Sequence, residues 1–392
     1  MKLYGYAEKN ILVKLIYYMF LGYLVIDMIT GGLLLSGKNI SLSIPYKVII
    51  ICLCIAAITV KKKLELVYIL GLIILICFTF LLNGKEIVDM NLTVKMALRI
   101  IMYPIVFYYF KLYYEHSRQK QLKRIVAFNN IVIMVNMFLA ILGFGYSTYN
   151  SGDGLKGFFY DANALSASVF CLFVYFYSKN KNKIYVVIYV LLAILIGTKA
   201  AMLVILLFYL FDTIWNARLR DKIFMSAFII GLYELFVNLF MSSDIFDYQM
   251  QRYKYILSTN GNNVLDALTS RRYSKMLDVF SGRFNIMKFL FGHGYTSVVI
   301  ELDFFDVLYA YGIIVAVMLL VFYLYIIYIN RNCKEKFIFN IIYLILSFVT
   351  GHIWFNTTSL VFFCAINVSE FLEKDENTNK IKNQKRRQVT NG

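Results

Sequence analysis

Charge is scarce in this 392-residue chain: 16% of its residues are Asp, Glu, Lys or Arg, against about 25% in a soluble domain. Proline is nearly absent, with Pro45 and Pro104 the only two, and the chain has three histidines and two tryptophans. The six cysteines are scattered. Cys52, Cys54, Cys77, Cys171 and Cys364 lie inside apolar runs and Cys333 in a short polar stretch. With no C-x-x-C and no Cys/His cluster, neither a disulfide framework nor a metal centre is expected. What the chain does have is apolar mass: 60% hydrophobic residues, 17% aromatic and a mean hydropathy of +0.66. At about 20 residues per spanning helix, twelve spans need roughly 240 residues, close to the whole apolar fraction. A soluble enzyme, a nucleic-acid-binding domain and a disulfide-stapled secreted module are thereby excluded. The composition predicts an all-α polytopic integral membrane protein.

Apolar runs set against polar punctuation place the spans at 15–35, 46–60, 64–82, 95–114, 125–145, 162–178, 184–197, 200–215, 223–241, 304–329, 338–355 and 359–372. The first has no small-residue cleavage site and reads as a retained signal anchor. The stretch from Ile184 to Trp215 is too long for one ordinary span, and Gly197-Thr198-Lys199 splits it into a tight hairpin. Of the 40 Lys and Arg, 25 fall in one alternate set of connections: residues 1–14, Lys61–Lys63, Arg118–Arg124, Lys179–Lys183, Arg218–Lys222, Arg331–Lys336 and the tail 373–392. The positive-inside rule puts that set and both termini in the cytoplasm, as an even number of spans requires. The domain plan is then a cytoplasmic N-terminus (1–14), nine spans (15–241), one large external loop (242–303) between the ninth and tenth, three spans (304–372) and a basic cytoplasmic tail (373–392).

Ionisable groups at membrane depth point to function by default. Asp27, Arg99 and Glu234 lie within spans; most other candidates gather on the external side. Asp161, in Gly157-Phe-Phe-Tyr-Asp161-Ala-Asn163, is an ordinary N-cap or, with Asn163, part of a site. Lys199, at the hairpin apex, is a snorkelling lysine or a phosphate ligand. Arg283, in Ser281-Gly282-Arg283, sits where a helix dipole disfavours a cation. Arg271, Arg272 and Lys275 crowd within little more than one turn. In Glu301-Leu-Asp303-Phe-Phe-Asp306, helix-start acids account for the first two better than for Asp306; a carboxylate here also suits a general base. His352, in Gly351-His352, is a packing residue or a ligand.

Together these pieces resemble the Wzy-type O-antigen and capsular polysaccharide repeat-unit polymerases, relatives of the O-antigen ligases. The likeness covers about residues 125–370: Gly157–Asn163 entering a span, the Gly197-Thr-Lys199-Ala hairpin, Arg283 ahead of Phe291-Gly292-His293-Gly294, Glu301–Asp306 before Tyr311-Gly312-Ile313, and Gly351-His352. It implies transfer of a growing glycan from its polyprenyl pyrophosphate carrier to a new lipid-linked repeat on the outer face of a bacterial plasma membrane. No metal, cofactor, nucleotide sugar or nucleic acid is implied; the partners are the lipid-linked oligosaccharide, the bilayer and a chain-length regulator. Under the resemblance Arg283, with Arg271 or Arg272 and Lys199, holds the pyrophosphate, and Glu301 or Asp303 accepts the proton of the attacking hydroxyl. Asp161, Asn163, Asp306 and His352 bind glycan or are structural. Lys199 departs from the arginine often found in that hairpin, and Glu301-Leu-Asp303 stands where ligases typically present a histidine, which favours polymerase over ligase. The rival classes are a lipid-linked oligosaccharide flippase or solute transporter, which the lack of half-to-half symmetry disfavours, and a glycosyltransferase using polyprenyl-phosphate sugars. The last expects an acidic motif in the first external loop, and 36–45 has no acid.

Overall fold

The computed structural model describes residues 11–38, 40–61, 64–84, 90–148, 154–216, 251, 271–281, 285–294, 300–349, 351, 353–355 and 357–370. The expected span 223–241 with Glu234, most of the 242–303 loop including Arg283, and also His352 and the basic tail, lie outside the described residues.

The chain is mostly helical. Its elements are α1 (Ile11–Leu21), α2 (Tyr23–Leu35), α3 (Ser43–Thr59), α4 (Glu65–Asn83), α5 (Met90–Tyr114), α6 (Gln119–Ile141), β1 (Tyr146–Ser147), β2 (Leu155–Gly157), α7 (Ala162–Asn180), α8 (Lys183–Ile196), α9 (Lys199–Asn216), α10 (Arg272–Phe280), α11 (Ile286–Phe291), α12 (Asp303–Ile329), α13 (Lys334–Val349) and α14 (Leu360–Val368). Helices stand at eleven of the twelve expected ranges. Among the described residues α4, α5, α6 and α12 are long and apolar enough to cross a membrane; a fifth span follows if α1 and α2, bent by 47° at their junction, count as one. The 184–215 stretch breaks where its glycine predicts: Gly197 adopts φ 78 and ends α8, and α9 starts two residues later. Pro104 falls inside α5, a helix buried along most of its length, where neighbours can satisfy the carbonyl a proline frees.

Apolar pattern decides which helices are central. α4 is apolar but mostly exposed, as a lipid-facing helix should be, whereas every residue of α14 is buried. α7 is buried on nearly all sides despite Ser166, Ser168 and Tyr177; a helix enclosed all round belongs to the core. Ser166 and Ser168 bond back to the carbonyls of Ala162 and Ala164.

The chain is mostly helical as expected, and the addition is local: β1 and β2 form a short antiparallel pair with Tyr146 opposite Gly157 and Ser147 opposite Leu155. The backbones come so close that a Cβ on Gly145 would stand 2.5 Å from the Gly157 carbonyl carbon, so only glycine fits. Asn136 of α6 clamps the pair by donating to Lys156 O and accepting from Phe158 N–H.

The two ends of the bundle differ in polarity. At one, Lys181 Nζ lies 3.0 Å from Asp212 and 2.8 Å from Glu335, and Lys334 lies 3.0 Å from Asp212. These residues come from the connection between α7 and α8, the last turns of α9 and the start of α13. The opposite end carries Asp161, Gly197, Asp303 and Gly351.

Candidate functional site

The start of α12 is organised by its acids. Asp306 turns back and accepts the N–H of Ile300 at 2.7 Å and of Leu302, the N-cap residue, at 3.1 Å. Asp303 Oδ2 accepts the N–H of Ile353 at 2.7 Å and of Trp354 at 2.8 Å, and its side chain is fully buried. Bonds from backbone N–H groups, with the helix dipole behind them, offset the cost of burying a carboxylate. Tyr103 fixes the other side of the same loop by donating to Ile353 O at 2.7 Å, and Trp354 stacks on Tyr323 with centroids 4.8 Å apart. Gly351, at φ 63, packs directly on Glu301: a Cβ there would stand 2.1 Å from Glu301 O. The Glu301–Asp306 and Gly351–Trp354 segments, far apart in sequence, therefore form one unit.

That unit borders a narrow cleft, with room for about one water molecule, lined by Asn163, Ser166 and Ala167 of α7, Ala201 and Val204 of α9, Leu346 of α13, and Ile353. Asp161 N-caps α7, accepting from Asn163 N–H at 2.9 Å and Ala164 N–H at 3.3 Å. Ser166 Oγ lies 2.5 Å from Thr198 Oγ1, which ties α7 to the turn before α9. Asn163 and Ala201 both sit in first helical turns, so the N-termini of α7 and α9 border the same cleft, the α7 end with its first amides already taken by Asp161. Lys199 is the first residue of α9; its side chain lies outside the described residues.

Arg272, at the start of α10, donates Nε at 3.1 Å and one terminal nitrogen at 3.0 Å to Glu301 Oε2. The pair is accessible: the Glu301 side chain is 43% exposed and that of Arg272 21%. Arg271 precedes it in the left-handed conformation, φ 69. One of the cations expected to hold an anion thus already grips the acid expected to act as base.

Nearby, Gly292–Gly294 docks on α12 where that helix breaks. Gly312 takes φ 81 and ψ 173, which releases upstream carbonyls, and His293 N–H and Gly294 N–H donate to Tyr309 O and Ala310 O at 2.9 and 3.1 Å. The His293 ring stacks on Tyr309 with centroids 4.5 Å apart. Thr79 and Asn83 of α4 hold the other side, donating to Phe291 O and Gly292 O. The two glycine motifs were visible in the sequence; their mutual contact was not, because nothing local signals it.

The β1–β2 hairpin carries Lys156, whose ammonium lies 5.5 Å from the Tyr146 ring centroid and 5.7 Å from that of Tyr160. Partial burial lowers its pKa below the ordinary lysine value, with Asp161 pulling the other way.

Of the predicted site residues, the structure brings Asn163, Asp161, the start of α9 and, through Ile353, Asp303 to one cleft, with Arg272 and Glu301 joined to it through Gly351. Sequence reasoning missed Lys47, which pairs with Asp27; its only signal was a polar residue four positions after Ser43 at the head of an apolar run.

No protein-family model matches the chain, and no curated protein matches it in sequence.

Proposed function

We propose that the protein is a polysaccharide polymerase of the plasma membrane: a metal-independent glycosyltransferase that moves a growing glycan from its polyprenyl diphosphate to a lipid-linked repeat unit. The observation that carries this reading is the meeting of the α7 and α9 N-termini with the loop held by Asp303, beside an accessible Arg272–Glu301 pair. In this reading the chain crosses the bilayer twelve times with both termini cytoplasmic, and the cleft faces outward.

The chemistry needs an anion holder and a base. The acceptor hydroxyl oxygen bonds to the anomeric carbon of the donor's diphosphate-linked sugar, and the bond from that carbon to the diphosphate oxygen breaks. The electron pair leaves with the polyprenyl diphosphate, and the hydroxyl proton passes to a carboxylate. Arg272, together with Lys199, Arg271 and Arg283, neutralises the diphosphate. Glu301 is the base, because its carboxylate is accessible, whereas Asp303 and Asp306 are buried and spent on backbone N–H groups. A diphosphate arriving at Arg272 competes with Glu301 for the guanidinium and so releases the carboxylate for proton transfer.

The broken α1–α2 pair and the break in α12 at Gly312 favour a second reading, a flippase for the same lipid-linked oligosaccharides, since broken helices recur in transporters. Deleting the gene and sizing the glycans separates the two. Single repeats accumulating on lipid at the outer face support polymerisation; repeats retained on the inner face support flipping and overturn the polymerase.

A further inference from the structure

Away from the cleft, α2 and α3 share an ion pair, and α5 carries a further cation, Arg99, on the face that reaches Tyr23 of α2 through Met102. Asp27 and Lys47 form an ion pair, with Nζ 2.7 Å from Oδ1 and 3.0 Å from Oδ2, and Ser43 Oγ donates to the same carboxylate. The Lys47 ammonium lies 5.2 Å from the centroid of the Tyr23 ring, and Tyr23 OH reaches Met102 Sδ on α5 at 4.0 Å. Arg99 precedes Met102 by three positions and Tyr103 by four, so all three share one face of α5, and Arg99 is within electrostatic reach of Lys47. Tyr103, one helical turn beyond Arg99, donates to Ile353 O.

Asp27 neutralises one of the two cations. Among the described residues the Arg99 guanidinium makes one hydrogen-bonding contact, with Met96 Sδ at 3.8 Å, and pairs with no carboxylate. It stands six residues inside the apolar stretch Thr93–Tyr114, about 9 Å along the axis at 1.5 Å per residue. A guanidinium at that depth with no counter-ion among the described residues is unfavourable, and its planar fork matches a phosphate better than any other group a bilayer supplies.

We propose that Arg99, backed by Lys47, is a binding site for a lipid-borne phosphate, separate from the cleft between α7 and α9. The site requires that the chain sit in a bilayer, not that it polymerise glycans. The phosphate comes either from a polyprenyl diphosphate carrier or from an anionic phospholipid headgroup; the chemistry is common to both.

The test is native mass spectrometry of the full chain in phosphate-free detergent, titrated separately with undecaprenyl diphosphate and phosphatidylglycerol, with a thermal unfolding midpoint as the fold control. The wild type is expected to retain one more phosphate-bearing lipid than Arg99→Gln, or to bind it about tenfold more tightly, with Arg99→Lys in between. Asp27→Asn, which removes the neutralising acid, is expected to tighten binding. Loss confined to undecaprenyl diphosphate identifies the carrier as the source; loss confined to phosphatidylglycerol, or shared by both, identifies a headgroup site. Equal retention of both lipids by wild type and Arg99→Gln overturns the proposal. If Arg99→Gln does not fold, unchanged binding in Asp27→Asn overturns it instead.

Discussion

Asp303 holds the backbone N–H of Trp354 at 2.8 Å across 51 positions of sequence, and that of Ile353 with the same oxygen. A buried carboxylate placed this way fixes the wall of a cleft rather than attacking anything in it. Replacing it by alanine leaves two buried N–H groups without an acceptor. Asp303→Ala is expected to lose roughly 2–5 kcal/mol of stability, read as a fall in the unfolding midpoint of the purified protein. Asp303→Asn, which keeps one acceptor oxygen, is expected to lose less and to retain activity in proportion to the folded fraction.

Glu301 behaves in the opposite way. Its ion pair with Arg272 is partly exposed, and such pairs contribute about 0–1 kcal/mol, so Glu301→Gln is expected to fold and unfold like wild type. With Glu301 as the proposed general base, its loss is expected to lower turnover by about 10²–10⁴. Turnover and midpoint measured on the same preparation separate the two acids: Glu301→Gln moves only the first, Asp303→Ala both.

Gly312 tests the docking of the 292–294 segment. At φ 81 a Cβ there would stand 2.2 Å from Leu290 O, so Gly312→Ala must shift the loop or the helix. A loss of about 2–4 kcal/mol is expected. Gly71→Ala is the control: its nearest neighbour is Met318 Cε at 3.9 Å, an ordinary contact, and in a helix alanine is favoured over glycine by up to about 1 kcal/mol.

The charged cluster at the opposite end of the bundle predicts a pH dependence. Burial pulls the Lys181 pKa down, but attraction to Asp212 and Glu335 outweighs it and leaves the pKa above the ordinary value of 10.5. A group whose pKa is raised on folding stabilises fully below its unfolded pKa, and that contribution disappears as pH rises through the folded one. The difference in midpoint between wild type and Lys181→Met is therefore expected to stay constant through neutral pH and to shrink only above the ordinary lysine range.

The helices were legible because they are long apolar runs, and the Gly197 break because a left-handed residue is needed there and glycine supplies it. The positions of Asp161 as an N-cap and of acids at the head of α12 were legible for the same reason: capping is local. What escaped were partnerships at a distance. Asp306 looked unexplained as a helix-start acid because its acceptor role depends on Ile300 and Leu302 folding back over it. Asp303 looked available as a base because Ile353 and Trp354 lie some fifty residues on. The pairing of Arg272 with Glu301 turned two separately predicted site residues into one, and Lys47 went unnoticed because its partner lies on another helix.

The most direct test of the account is reconstitution. Lipid-linked repeat units extracted from a deletion strain are incorporated into vesicles with the purified protein, and the products are sized. A ladder of lengthening glycan with release of free polyprenyl diphosphate from wild type, and single repeats only from Glu301→Gln, is the predicted result. Single repeats that cross the bilayer unlengthened with wild type, or the same ladder from both proteins, would contradict it.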